Sequence, residues 1–279
     1  MSFADTVIRH TSRTVPYRVL LLRNFLRQWP IGSYRARLNA GAVHRPNYGW
    51  CVFHAATLAK ALGHKAITVI EFGVAGGNGL VCLCENSRQI EKEVGIEIRV
   101  VGFDAGSGLP ASTDYRDFLY AWPAGSFVMD RAALERRIGD QAKLVLGDVS
   151  NSVGNWQPDP DAPLGAVMFD LDYFTSTANA LPILSKENTL PRVWCYFDDL
   201  CTGPEEATTE GLGEHEAIRL FNLSPDRKLL NDRVSRAYSF KGAMPEPWHQ
   251  HIYIYHRFNH PDYNICITAN RDQLKLSRA

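Results

Sequence analysis

The segment Ala66–Leu80, AITVIEFGVAGGNGL, decides the fold. Its first half is a β-branched apolar run, Ile67 to Phe72, which predicts a buried strand. Its second half gathers Gly73, Gly76, Gly77 and Gly79 into a turn. Glycine lets the chain turn sharply and lets a ligand come close to the main chain. The next stretch, Leu80 to Val94, predicts a helix, whose first N–H groups have no partner within the helix.

The same alternation continues in both directions. Upstream, residues 50–63 (WCVFHAATLAKALG) predict a helix that stops at Gly63. Downstream, IEIRVVGFD (Ile96–Asp104), AKLVLGD (Ala142–Asp148), GAVMFD (Gly165–Asp170) and RVWCYFDD (Arg192–Asp199) each end an apolar run in acid. Helices are expected over DRAALERRIG (Asp130–Gly139), Thr175–Ser185 and GEHEAIRLF (Gly213–Phe221), and QHIYIYHRF (Gln250–Phe258) alternates like a late antiparallel strand. Strands alternating with helices predict an α/β fold with a mostly parallel sheet. Ligands of such sheets bind outside the carboxyl ends of the strands. Five strand ends carry acids: Glu71, Asp104, Asp148, Asp170 and the pair Asp198/Asp199. Aspartate is common in turns, which explains one or two of them; acid at all five points to ligands.

The glycine turn admits two nucleotide-type ligands. For NAD the fingerprint is G-x-G-x-x-G; counted from Gly73, Ala75 and Asn78 occupy the second and third glycine positions. For S-adenosylmethionine the form is E/D-x-G-x-G-x-G, and Glu71-Phe-Gly73-Val-Ala75-Gly-Gly77 departs from it once. An acid at the first position suits a ligand whose amino-acid end carries an ammonium. Asp104 then stands where an acid takes ribose hydroxyls, although further along than the roughly 20 residues of a minimal dinucleotide fold. Asp148 stands where such folds hold adenine. The expected donor-binding residues are Glu71, Gly73, Gly77, Asn78, Asp104 and Asp148.

The fourth strand empties into FDLDYFTST, Phe169–Thr177. FDLD is similar to the opening of haloacid-dehalogenase-like phosphatases. In that reading Asp170 attacks phosphorus, Asp172 handles protons and Mg²⁺ neutralises charge. That family places the motif on its first strand and follows it with Gly-Thr, where this chain has Tyr173-Phe174. The reading also leaves the glycine turn and Asp104 without a task. Taken in order, EFGVAGG, GFDAGSGLP, FDLDYFTST and FDDL instead resemble the macrocin O-methyltransferase-like family, whose forms of the last three are close to FDSFEGLP, DGDLYEST and VDDY. WPAGSF (Trp122–Phe127) and LGDV (Leu146–Val149) also fall in family order, and the resemblance runs from about Ile67 to Phe221. The chain departs from the family at Leu171, at Tyr173-Phe174 and at Ala105-Gly106-Ser107.

The resemblance implies a Rossmann-like class I methyltransferase fold with helices on both faces. It implies an S-adenosylmethionine- and Mg²⁺-dependent O-methyltransferase of a sugar, polyol or glycosylated natural product. It further implies that Asp170, Asp198 and Asp199 hold Mg²⁺ and that Asp172 is the general base, with His215, His249 and His256 as rival bases. Those roles agree with the preference of Mg²⁺ for oxygen ligands. A non-catalytic nucleotide-binding module is the remaining alternative.

Composition narrows the partners. The 279 residues are 45% hydrophobic and 22% charged, with 30 acidic and 30 basic side chains. Zero net charge argues against nucleic acid as the main partner, in keeping with the small hydroxylated acceptor that the resemblance implies. No run approaches the ~20 apolar residues of a transmembrane segment. The six cysteines, Cys51, Cys82, Cys84, Cys195, Cys201 and Cys266, show no zinc spacing and read as reduced thiols of a cytoplasmic protein. Residues 1–64 read as an N-terminal helical extension and 65–279 as the donor-binding domain. The extension carries Arg9, Arg13, Arg18, Arg23, Arg27, Arg35 and Arg37 against Asp5 alone in its first 40 residues. Tyr17, Leu20, Leu21, Phe25 and Leu26 recur there at helical spacing, so peripheral membrane contact is weighed against packing, and packing or a homo-oligomer interface is expected. The aromatic stretch of residues 111–130 is expected either to meet the acceptor or to form the core of a loop or oligomer interface, and the C-terminal HRFNHPDYN either to line the acceptor site or to cap a sheet edge.

Overall fold

The computed structural model describes residues 17–200, 206–232 and 247–267. Arg9, Arg13, Asp5 and Cys201 lie outside the described residues. The described strands are β1 (Ala66–Phe72), β2 (Glu97–Asp104), β3 (Ala142–Leu146), β4 (Leu164–Phe169), β5 (Thr189–Phe197), β6 (Arg227–Asn231) and β7 (Ile252–Arg257). They form one sheet in the order 3-2-1-4-5-7-6. β1 to β5 run parallel, while β7 is antiparallel to β5 and to β6. The expected Rossmann-like sheet with a late antiparallel strand is therefore present. β1 is buried along its whole length, as its unbroken apolar run requires.

Helices cover both faces. α1 (Tyr17–Gln28) and α2 (Tyr34–Asn39) precede α3 (Pro46–Ala61), which packs with α4 (Asn78–Val94) and α5 (Arg131–Ile138) over one face. α6 (Val149–Asn155), α7 (Phe174–Ala180) and α8 (Gly213–Phe221) pack over the other. α3 begins four residues before the expected start because Pro46, which needs no N–H partner, fits the first helical turn. It is apolar nearly all round, as a buried helix must be.

The stretch Thr175–Ser185 is not one helix. α7 ends at Ala180 and Pro182 lies in the 3₁₀ turn that follows, Leu181–Ser185. β6, α2 and α6 had no clear sequence signal. α1 is helical as its spacing predicts, yet none of its residues is buried and Tyr17, Leu21, Leu22 and Phe25 are at least half exposed. Arg23 and Arg27 tie it to the chain after α2 by donating to the Ala40 and Gly41 carbonyls at 2.7 and 3.0 Å.

One feature of register positions the site. Phe72 pairs with Phe103 and Phe169, and Phe169 pairs with Phe197, so four phenylalanines lie in a row across β2, β1, β4 and β5. Their ring centroids lie 4.7, 5.6 and 4.7 Å apart, the Phe72–Phe103 pair tilted and the other two stacked. Side chains alternate between faces along a strand. The residues next to the row, Glu71 before Phe72 and Asp104, Asp170 and Asp198 after the other three, thus belong to the opposite phase, the phase of the α3 side. Aligning the rings aligns the acids.

Candidate active site

The direction of strand succession reverses between β1 and β4, and a crevice outside the carboxyl ends of the strands is expected at that point. The crevice is a cavity of about 540 Å³. Its wall contains Glu71, the turn from Gly73 to Gly79, Asp104, Asp148, Asp170 and Asp172. All six expected donor-binding residues, Glu71, Gly73, Gly77, Asn78, Asp104 and Asp148, therefore line one space together with the expected base. Asp198 and Asp199, two of the three expected metal ligands, are not among the residues that line it. Asp198 accepts the Tyr196 hydroxyl at 2.6 Å, and Asp199 accepts the Asp172 N–H at 3.1 Å.

The glycine turn is shaped by close approach. Gly73 has φ +80°, and a Cβ there would stand 1.6 Å from the Asp170 carbonyl oxygen. The end of β1 is pinned on both sides, since Gly73 N–H donates to Phe103 O and Asp170 N–H donates to Phe72 O. At Gly79 a Cβ would stand 1.8 Å from Glu71 Oε1. Asp104 Oδ2 accepts the Ala75 N–H at 2.8 Å and Oδ1 accepts the Gly106 N–H, so this carboxylate braces the turn. Each oxygen can accept a further hydrogen bond. Asp148 caps α6 by accepting the Ser150 N–H at 2.8 Å through Oδ1. It therefore combines a capping role with its place on the wall.

Carboxyl groups are concentrated at the β1–β4 end. Glu71 is 1% exposed; burial pushes its carboxyl up to about 8, against the Tyr48 hydroxyl donating to Oε1 at 2.7 Å. Glu71 Oε2 is buried without a hydrogen-bond partner. Burial, then Asp198 and Asp199, pushes the Asp170 carboxyl well above the carboxylate range. Burial, then Asp170 and Asp198, pushes Asp172 up to about 7. Asp172 also holds a left-handed backbone, φ +58°, which is uncommon for a residue with a side chain and clusters at functional sites. Among the described residues, no three or more His, Cys, Asp or Glu side chains are already grouped to hold a metal ion.

Several participants carried no sequence signal. Arg45 lines the cavity from the start of α3, and Tyr48 follows it one helical turn on. Glu214, on α8, is fully buried and accepts the Asp199 N–H through Oε2 at 3.0 Å, while Oε1 has no partner. His251, which stacks on Tyr196, donates from Nδ1 to Phe197 O at 2.7 Å. Of the rival bases, His215 donates to Leu200 O, and His256 pairs with Arg192 near the beginning of β5, away from the carboxyl ends. HRFNHPDYN therefore lies apart from the cavity. In the aromatic stretch only Phe127 lines it; Phe118 is buried and Tyr115 and Tyr120 face outward.

No protein-family model matches the chain, and no curated protein matches it. Among solved structures the chain is similar to CalS11, a calicheamicin methyltransferase, at 20% identity over 90% of this chain and 88% of that one, with a TM-score of 0.49. It is similar to the O-methyltransferase TomG from Streptomyces achromogenes at 13% identity over 81% and 86%, with a TM-score of 0.41. It is also similar to an O-methyltransferase from Bacillus cereus in complex with S-adenosylhomocysteine, at 14% identity over 75% and 88%, with a TM-score of 0.40. Identity this low carries no function across; the cavity's own residues must.

Proposed function

We propose that the chain is an S-adenosylmethionine-dependent O-methyltransferase that methylates a hydroxyl of a sugar, polyol or glycosylated natural product with the help of Mg²⁺. The observation that carries this reading is the single cavity joining the Glu71–Gly79 turn, Asp104 and Asp148 to Asp170 and Asp172. In it Glu71 meets the ammonium of the methyl donor, Asp104 the ribose hydroxyls and the wall at Asp148 the adenine. Asp172 stands at the β4 end of the same space, where an acceptor hydroxyl reaches the donor's methyl group. The acceptor oxygen attacks the methyl carbon as the sulfur–carbon bond breaks, and Asp172 takes the hydroxyl proton. S-Adenosylhomocysteine leaves.

The donor chemistry around Asp170, Asp198 and Asp199 fits a hard divalent cation. All are carboxylates, as Mg²⁺ prefers, and among the described residues Arg45 is the only Lys or Arg on the cavity wall. When bound, Mg²⁺ supplies orientation and acidification of the acceptor hydroxyl. Glu214 supports the set by holding the Asp199 backbone. Zero net charge and the small cavity favour a small-molecule acceptor over nucleic acid.

Incubation with S-adenosylmethionine, Mg²⁺ and a panel of glycosides and polyols tests this, with S-adenosylhomocysteine as the readout. Asp172→Asn is expected to lower kcat by a factor on the order of 10² or more while donor binding stays near wild type. EDTA is expected to abolish turnover; indifference to EDTA removes the metal from the reading. Absence of product with every acceptor favours the non-catalytic binding module.

A further inference from the structure

Arg45 has no task in the mechanism above. Among the described residues it is the sole Lys or Arg on a cavity wall that includes Glu71, Asp104, Asp148, Asp170 and Asp172. It holds the N-cap position of α3 with φ +42°, a left-handed conformation that is strained for a residue with a Cβ. A residue needed only to offset the acids is expected to pair with one of them. Arg45 instead donates Nη1 to the neutral Tyr48 hydroxyl at 3.1 Å, with its guanidinium 4.9 Å above the Tyr48 ring. The Tyr48 hydroxyl in turn donates to Glu71 Oε1 at 2.7 Å. One phenol therefore holds a cationic fork and a carboxylate side by side. The fork's other N–H groups have no acceptor among the described residues, and Glu71 Oε2 is buried without a partner.

Glu71 stands at the β1 part of the cavity wall, between Asp104 of β2 and Asp170 after β4, with Arg45 joined to it through Tyr48. Asp148 follows β3, Asp104 ends β2 and Glu71 ends β1, so the wall runs from Asp148 through Asp104 to Glu71 and Arg45. A nucleoside with its base at Asp148 and its ribose at Asp104 brings its 5′ substituent to Arg45 and Glu71. That substituent in the methyl donor is an α-amino acid, with an ammonium and a carboxylate on one carbon. We propose that Arg45 and Glu71 form a zwitterion cradle, Arg45 binding the carboxylate of the donor through its fork while Glu71 binds the ammonium. Arg45 is thus a specificity-determining residue that selects a donor with an intact amino-acid end. The inference rests on the reading that the cavity takes S-adenosylmethionine.

Calorimetry with S-adenosylhomocysteine and with its decarboxylated analogue tests the assignment. Wild-type protein is expected to prefer the carboxylate-bearing compound by about tenfold or more, the scale of a charge-assisted hydrogen bond. Arg45→Gln is expected to lose that preference, weakening S-adenosylhomocysteine while leaving the analogue nearly unchanged. Arg45→Lys, which keeps the charge without the fork, is expected to fall between. Equal binding of the two compounds by the wild type overturns the cradle whatever the variants do. So does an Arg45→Gln variant that weakens both compounds equally, or one that changes only the apparent affinity for the acceptor. Wild-type protein that binds neither compound overturns the donor-binding reading itself, a result distinct from equal binding.

Discussion

Gly73 shows how much a single residue decides here. Its positive φ and its contact with the Asp170 carbonyl exclude any side chain, whereas a Cβ at Gly76 meets nothing within 4 Å. Gly73→Ala is expected to destabilise the fold by about 2–4 kcal/mol, with Gly76→Ala within about 0.5 kcal/mol of wild type; urea midpoints of the two variants check the contrast. Glu71 sets a pH dependence. With its carboxyl at about 8 in the free protein, an ammonium-bearing ligand must displace a proton below that pH. Affinity for S-adenosylhomocysteine is thus expected to rise with pH between 6 and 7.5, by up to about tenfold per unit. Titrations of Glu71→Gln should be weaker and flat. Glu71 and Gly73 were legible in the sequence because strand and turn are contiguous. Arg45, Tyr48 and Glu214 were not, because packing brings them from helices whose local pattern speaks only of burial.

At the scale of elements, the phenylalanine row explains why the strand-end acids were legible as a set. Phe precedes the acid in GFD, MFD and YFD, and parallel register then places the acids side by side. β6 was not legible because its five residues gain strand geometry from pairing with β7 rather than from their own pattern. α3 carries a second titration. His54 lies against Trp50 at 4.2 Å and Trp194 at 6.0 Å, and burial, with Arg35 nearby, pushes its imidazole down to about 4. A depressed histidine stabilises the fold fully above its unfolded value of about 6.5 and loses that contribution as pH falls toward 4. Unfolding free energy is expected to drop between pH 7 and 4.5 by about 2–3 kcal/mol more in wild type than in His54→Phe. Equal drops in the two proteins would remove His54 from the acid response.

Over the whole molecule, sheet order brings scattered acids to neighbouring strand ends. The 3-2-1-4-5 succession puts the glycine turn and FDLD at adjacent carboxyl ends, although they stand almost 100 residues apart in the chain. The surplus of carboxylates over cations at that place makes the metal proposal testable without an acceptor. Mg²⁺ is expected to raise the Tm of the wild type, and Asp199→Ala to lose most of that rise; equal rises in both would remove Asp199 from the metal set. The most direct test of the donor site is equilibrium dialysis with labelled S-adenosylmethionine. Saturable one-to-one binding is expected, displaced by S-adenosylhomocysteine, indifferent to NAD and weakened about tenfold or more by Asp104→Ala. Absence of saturable binding at millimolar donor, or displacement by NAD, would contradict it.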